Sequence, residues 1–176
     1  MLYARILTTI DTIDGQVKKL KLEKKSDFAF YDLIYANKNG TSITEDTLKI
    51  RVYQKNEWNT KDVLVIRKCA VLTEGSKEDK VLLKEEFDTE TEAIEFVEKH
   101  FGNDYAFSFK LEKNGSEYVN DNLRIWYENI TGLGASVEFE SASQDVIENA
   151  IQLFPVSERL QESVPEYMYK KINPSF

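Results

Sequence analysis

The sequence predicts an α+β domain: an antiparallel sheet of eight or nine strands with a few helices outside it. Three observations predict it. Nine runs alternate apolar and polar residues or are rich in β-branched and aromatic ones, two stretches carry apolar residues at helical spacing, and no Pro/Gly-rich linker divides the 176 residues. A single domain over 1–176 is therefore expected, long enough to bury a full core.

In chain order, strands are expected at 2–10, 16–23, 28–36, 47–54, 63–72, 80–87, 105–112, 118–127 and 135–140. Turn signals separate several of them: Asp14-Gly15, Asn37-Lys38-Asn39-Gly40, Glu74-Gly75 and Lys113-Asn114-Gly115. Phe28 and Phe30, like Tyr105, Phe107 and Phe109, alternate as core strand residues do. A helix is expected over 89–101, where a Thr/Glu-rich start precedes Ala93, Ile94, Val97 and Phe101, with Gly102 as the C′ residue. A second, over 143–154, starts at an N-cap Ser143, carries Val146, Ile147, Ala150, Ile151 and Phe154, and stops before Pro155. A short third helix is expected over 157–163.

Composition excludes several function classes. Hydrophobic content of 41% with 31% charged residues is that of an ordinary globular protein. No apolar run approaches the roughly 18 residues of a membrane span, and the N-terminus has no signal-peptide pattern, so no membrane partner and a cytoplasmic location are expected. The single cysteine, Cys69, excludes an intramolecular disulfide, and with the single histidine, His100, it leaves no zinc constellation and no Ser-His-Asp triad. A net charge of −8 argues against nucleic acid as a partner. The acid gathers at 74–79, 85–98, 144–148 and 158–166, whereas bases recur on strand-like segments at Lys49, Arg51, Arg67, Lys68, Lys80, Lys84, Lys110 and Arg124. An acidic outside around a basic inside suits enclosure of a polyanion; solvated sheet faces give the same pattern.

The most informative stretch is 123–140, two alternating strands joined by a turn containing Gly132 and Gly134. Alternation puts Arg124, Trp126 and Glu128 on one face of the first strand, and Glu138 with Glu140 on one face of the second. Two carboxylates side by side on a strand repel each other unless a cation lies between them. An acidic residue, a hydrophobic residue, Gly132-Leu133-Gly134 and then Glu138-Phe139-Glu140 resemble the C-terminal signature of the CYTH superfamily, the triphosphate tunnel metalloenzymes. Weaker matches come in the family's order: Phe30-Tyr31-Asp32, Leu48-Lys49-Ile50-Arg51, Ile66-Arg67-Lys68-Cys69, the charged run 80–88, and Lys110. The resemblance covers about residues 2–169.

The resemblance implies that the sheet curves or closes into a tunnel-like barrel with a charged bore. It implies that Lys49, Arg51, Lys68, Lys80, Lys110 and Arg124 bind the phosphates of a triphosphate compound, whether ATP, thiamine triphosphate or inorganic triphosphate. It further implies that Glu138, Glu140, Glu128 and Glu86 hold Mg²⁺ or Mn²⁺. Bases suit this task because a triphosphate carries several negative charges and Arg grips phosphate oxygens with a two-pronged fork. The implied activity is that of a phosphohydrolase or an adenylyl cyclase, and a homodimer is left open. Periodicity does not decide whether Arg67 or Lys68 faces inward.

One departure from the family stands out. Its N-terminal Glu-x-Glu-x-Lys strand is replaced here: with Arg5 at the lysine position, Met1 and Tyr3 stand where the glutamates would be. Losing carboxylates while keeping bases weakens metal binding more than anion binding. The sequence is therefore open to two readings, a divergent metal-dependent enzyme or a non-catalytic polyphosphate-binding module. Either is expected to hold metal poorly until a polyphosphate supplies further oxygens.

Overall fold

The computed structural model describes residues 1–43, 45–57, 61–73 and 76–173. Its elements run in the order β1 (Leu2–Thr8), α1 (Asp14–Leu20), β2 (Glu23–Asn37), β3 (Asp46–Asn56), β4 (Val63–Thr73), β5 (Ser76–Phe87), α2 (Glu90–Phe101), β6 (Tyr105–Val119), β7 (Arg124–Ile130), β8 (Gly134–Ser141), α3 (Gln144–Ile151), β9 (Val156–Leu160) and α4 (Val164–Ile172). The α+β class with a nine-stranded antiparallel sheet is the one the pattern predicts. Strand order is β5-β4-β3-β2-β6-β7-β8-β1-β9, so β5 and β9 are edges and, among the described residues, backbone hydrogen bonds do not close the sheet. The chain divides into two compact units, Met1–Ala29 with Lys113–Gln161 and Phe30–Glu112 with Glu162–Phe176. Among the described residues, no helix is long and apolar enough to cross a membrane.

In the first unit β1 pairs with both β8 and β9, and β7 pairs with β6 and β8. Alternation sends Ala4, Ile6, Ile125, Val137 and Phe139 to one face, where Ile147, Ala150 and Ile151 of α3 complete the core. Ile6, Ile125, Val137 and Phe139 are fully buried, each worth about 1.5–3 kcal/mol relative to exposure. The same alternation commits Arg5, Arg124, Glu128, Glu138 and Glu140 to the opposite face. The Gly-Leu-Gly turn is required by backbone geometry: Gly132 (φ 80°) and Gly134 (φ 96°) both take left-handed angles that a Cβ would strain.

In the second unit β3, β4 and β5 pair antiparallel, and Leu48, Ile50, Val63 and Val65 pack with Ala93 and Val97 of α2. α2 opens with a capping box: the Thr89 hydroxyl accepts from Glu92 N–H at 3.2 Å while the Glu92 carboxylate accepts from Thr89 N–H at 3.2 Å. With Leu48 and Ile50 buried on the helix side, Lys49 and Arg51 point to the other face of β3.

Several expectations fail for identifiable reasons. The run 16–23 is not a strand: Asp14 in the first turn, Lys18 and Lys19 in the last, and a left-handed Lys21 cap make 14–20 the helix α1, whose Val17 and Leu20 pack on the first core. The run 157–163 is not a helix, because 156–160 pairs with β1 as β9. Ser163 instead caps α4, its hydroxyl accepting from Glu166 N–H at 3.4 Å. Lys113-Asn114-Gly115 is no turn; β6 runs through it, and Gly115 is there because a Cβ would come within 2.1 Å of the Tyr127 carbonyl oxygen on β7. Gly102 is the C-cap of α2 itself and stays right-handed (φ −60°). The expected Glu74-Gly75 turn lies outside the described residues.

Candidate functional site

Each unit carries one charged cluster, on the sheet face opposite α3 in the first and opposite α2 in the second. In the second unit the anchor is Asp32 of β2, which lies 1% exposed. Arg51 grips it with two prongs, Nε to Oδ1 at 2.7 Å and Nη2 to Oδ2 at 2.8 Å, and Lys49 Nζ donates to Oδ2 at 3.0 Å. The Arg51 guanidinium also stacks over the Phe30 ring, 3.8 Å from its centroid, which fixes its plane. Burial alone would raise the Asp32 pKa, but Arg51 and Lys49 hold it well below the usual carboxylate range. Burial and the Arg51 charge push Lys49 down to about 8, with Asp32 opposing them.

Strand register settles which neighbour joins this cluster. Lys68 pairs with Thr47, two residues along from Lys49, so it shares the Lys49/Arg51 face, and its charge also presses on the Lys49 ammonium. Arg67 pairs with Leu48 and faces the helix side, where it donates to Asp46 at 3.1 and 3.2 Å. Lys80 is exposed opposite Cys69, on the Arg67 side. Lys110 bonds Glu112 at 2.7 Å and lies 3.9 Å over the Tyr31 ring; Tyr31 alternates away from Asp32, so Lys110 stands outside the cluster. Glu86 is exposed on β5, opposite Leu64.

In the first unit the anchor is Arg5, whose side chain is 12% exposed on β1. Its Nη1 donates to Glu128 and, at 2.7 Å, to the Ser136 hydroxyl, while Nη2 donates to Glu138. Lys113 Nζ adds a second positive charge 3.4 Å from Glu128. Burial would raise the Glu128 carboxyl, but Lys113 and Arg5 hold it below its ordinary value. Glu140 is paired separately, with Arg124 at 3.4 Å, and Arg124 also reaches Glu117 at 3.1 Å. The structure thus brings Glu128 and Glu138 together through Arg5, and joins Glu140 to Arg124.

Arg5, Lys113, Glu117 and Ser136 are not among the expected site residues, and Asp32 enters only as the end of the Phe30-Tyr31-Asp32 match, with no role assigned to it. Asp32 carries a usable signal in its place between the buried Phe30 and Ile34, where a carboxylate needs a cation. Lys113 is hidden by the false turn signal beside it.

No protein-family model matches the chain, and no protein of curated function matches it by sequence. Solved structures do. The PH1819 protein of Pyrococcus horikoshii OT3 superposes with a TM-score of 0.70 at 15% identity, covering 99% of both chains. A provisionally named adenylate cyclase of Vibrio parahaemolyticus gives 0.61 at 14% identity, over 95% of this chain and 96% of that one. A provisionally named adenylyl cyclase of Hippeastrum, described as having a dominant triphosphatase activity, gives 0.57 at 12%, over 85% of this chain and 83% of that one.

The chain shares its fold with these structures. The CYTH resemblance implies a divalent ion, and the residues here can be tested for it. Glu128 and Glu138 already share one guanidinium, and Glu140 is engaged with Arg124. Among the described residues no three His, Cys, Asp or Glu side chains are grouped to hold a metal. The resting cluster of the first unit therefore does not fit a protein-held divalent ion.

Proposed function

We propose that this CYTH-like chain binds a triphosphate compound (ATP, thiamine triphosphate or inorganic triphosphate) through Lys49, Arg51 and Lys68, and acts on it as a phosphohydrolase or adenylyl cyclase. The observation that carries this reading is two part-buried cations, Lys49 and Arg51, held on the single buried carboxylate of Asp32. Two positive charges on the one carboxylate they share leave positive charge in excess around Asp32, which a polyanion would offset. A guanidinium stacked on Phe30 and bonded to Asp32 presents its positive charge to phosphate in a fixed plane. Mg²⁺ or Mn²⁺ takes part in this reading only as a companion of the bound phosphates, since Mg²⁺ commonly binds through substrate oxygens and water.

A second reading, a triphosphate-binding module without turnover, is favoured by Arg5, which occupies Glu128 and Glu138 together. One experiment separates the two. ATP, thiamine triphosphate and inorganic triphosphate are each titrated calorimetrically and assayed for phosphate and cyclic nucleotide release, with Mg²⁺, with Mn²⁺ and with EDTA. Binding that weakens in Lys49→Ala and Arg51→Ala, with metal-dependent product, supports the enzyme. The same binding in EDTA without product supports the module. Triphosphate affinity unchanged in both variants would sink the assignment of this face.

A further inference from the structure

The cluster around Arg5 has a chemistry of its own. Three oxygen acceptors from two strands, Glu128 on β7 with Ser136 and Glu138 on β8, converge on one guanidinium from β1. Two carboxylates and a hydroxyl are an all-oxygen set of the type that hard divalent cations take. Here the set is already satisfied by a cation that is covalently part of the chain and largely out of water. Register fixes it there: Arg5 pairs with Glu138 on one side and with Leu160 on the other, so its side chain emerges beside Glu138 on the same face. A divalent ion entering this set would have to evict the guanidinium and leave it buried without its counter-charges, which is costly. Lys113, 3.4 Å from Glu128, would oppose the incoming ion as well.

We propose that Arg5 is the resident cation of the Glu128/Glu138 pair, excluding divalent metal from it, and that shortening Arg5 turns the pair into a Mn²⁺-class site with Ser136 as a third oxygen. The inference concerns the resting protein and is tested without triphosphate, so it stands or falls separately from the proposed function.

Free Mn²⁺ is measured by electron paramagnetic resonance while protein is titrated in. Wild type is expected to show no saturable uptake that depends on Glu138. Arg5→Ala and the neutral, near-isosteric Arg5→Gln are each expected to bind Mn²⁺ at least about tenfold more tightly than wild type. Adding Glu138→Gln to either is expected to abolish the gain, and adding Lys113→Met to tighten it. Circular dichroism reports whether each variant is folded, and Arg5→Gln serves where Arg5→Ala is not. Saturable Mn²⁺ binding by wild type that Glu138→Gln removes would overturn the proposal, and this arm needs no Arg5 variant. Folded Arg5 variants that gain no Mn²⁺ would overturn it equally.

Discussion

Replacing Asp32 with Asn removes one negative charge while keeping shape, and the surrounding geometry sets the consequences. Asp32 is 1% exposed and accepts three charge-assisted hydrogen bonds, at 2.7, 2.8 and 3.0 Å. An Asn offers one oxygen in place of two, so Arg51 loses its two-pronged grip and two part-buried cations face each other without their shared counter-charge. Removing one partner of a buried ion pair costs about 3–5 kcal/mol. At the low end, a chain of this size should melt about 6–12 °C lower. The same change should make an anion more welcome, because phosphate oxygens can supply the missing charge. Differential scanning calorimetry of wild type and Asp32→Asn, each with and without sodium triphosphate in EDTA, measures both effects. The expected result is a lower melting temperature for the variant and a larger upward shift on adding triphosphate. A variant as stable as wild type, or one that gains less from triphosphate, would refute the reasoning.

Triphosphate binding should weaken as pH rises through about 8, because Lys49 sheds its proton there and the attraction goes with it. Titration calorimetry at pH 7 and 9 should show the loss for wild type and a much flatter profile for Lys49→Arg. For folding the sign is opposite: a base depressed in the folded state is more easily protonated when unfolded, so this group's contribution to stability rises with pH from about 8 towards its ordinary value of 10.5. Urea unfolding of wild type and Lys49→Met at pH 7 and 9 checks it, the gap between them changing in favour of wild type at the higher pH. Gly115→Ala would place a Cβ 2.1 Å from the Tyr127 carbonyl oxygen, where backbone must yield. A loss of about 1–3 kcal/mol in urea unfolding is expected, and an unchanged midpoint would show that β6 and β7 do not approach so closely.

The alternation of Leu48, Lys49, Ile50 and Arg51 makes β3 legible, and helical spacing from Ala93 to Phe101 does the same for α2, since in both the period directly reports the buried face. The strand count comes out at nine for a less comfortable reason. The pattern wrongly includes 16–23 and wrongly leaves out 156–160, and the two errors cancel. Short segments of this kind are decided by the partner they find: β9 exists because β1 offers an open edge, which its own five residues cannot announce. The candidate site is legible where charge sits on a strongly alternating strand. Lys49 and Arg51 do share a face, but Asp32 between them is a fact of register, not of local sequence. Along the chain, Arg5 beside Met1 and Tyr3 reports only a lost pair of acids. Its bond to Glu138 joins residues 133 positions apart, a distance no local pattern spans.

The open hydrogen-bond ladder has a consequence for solubility. An edge strand presents backbone groups that can recruit a strand from another molecule, and β5 carries exposed Val81 and Leu82 that would favour such a union. Around them Lys80, Lys84, Glu85 and Glu86 are all exposed. A second molecule laying a strand along β5 would have to bring its own side chains against this mixed row and strip water from it. The dense charge of β5 thus acts as a guard on the rim of the sheet, keeping an extendable edge from growing into a fibre.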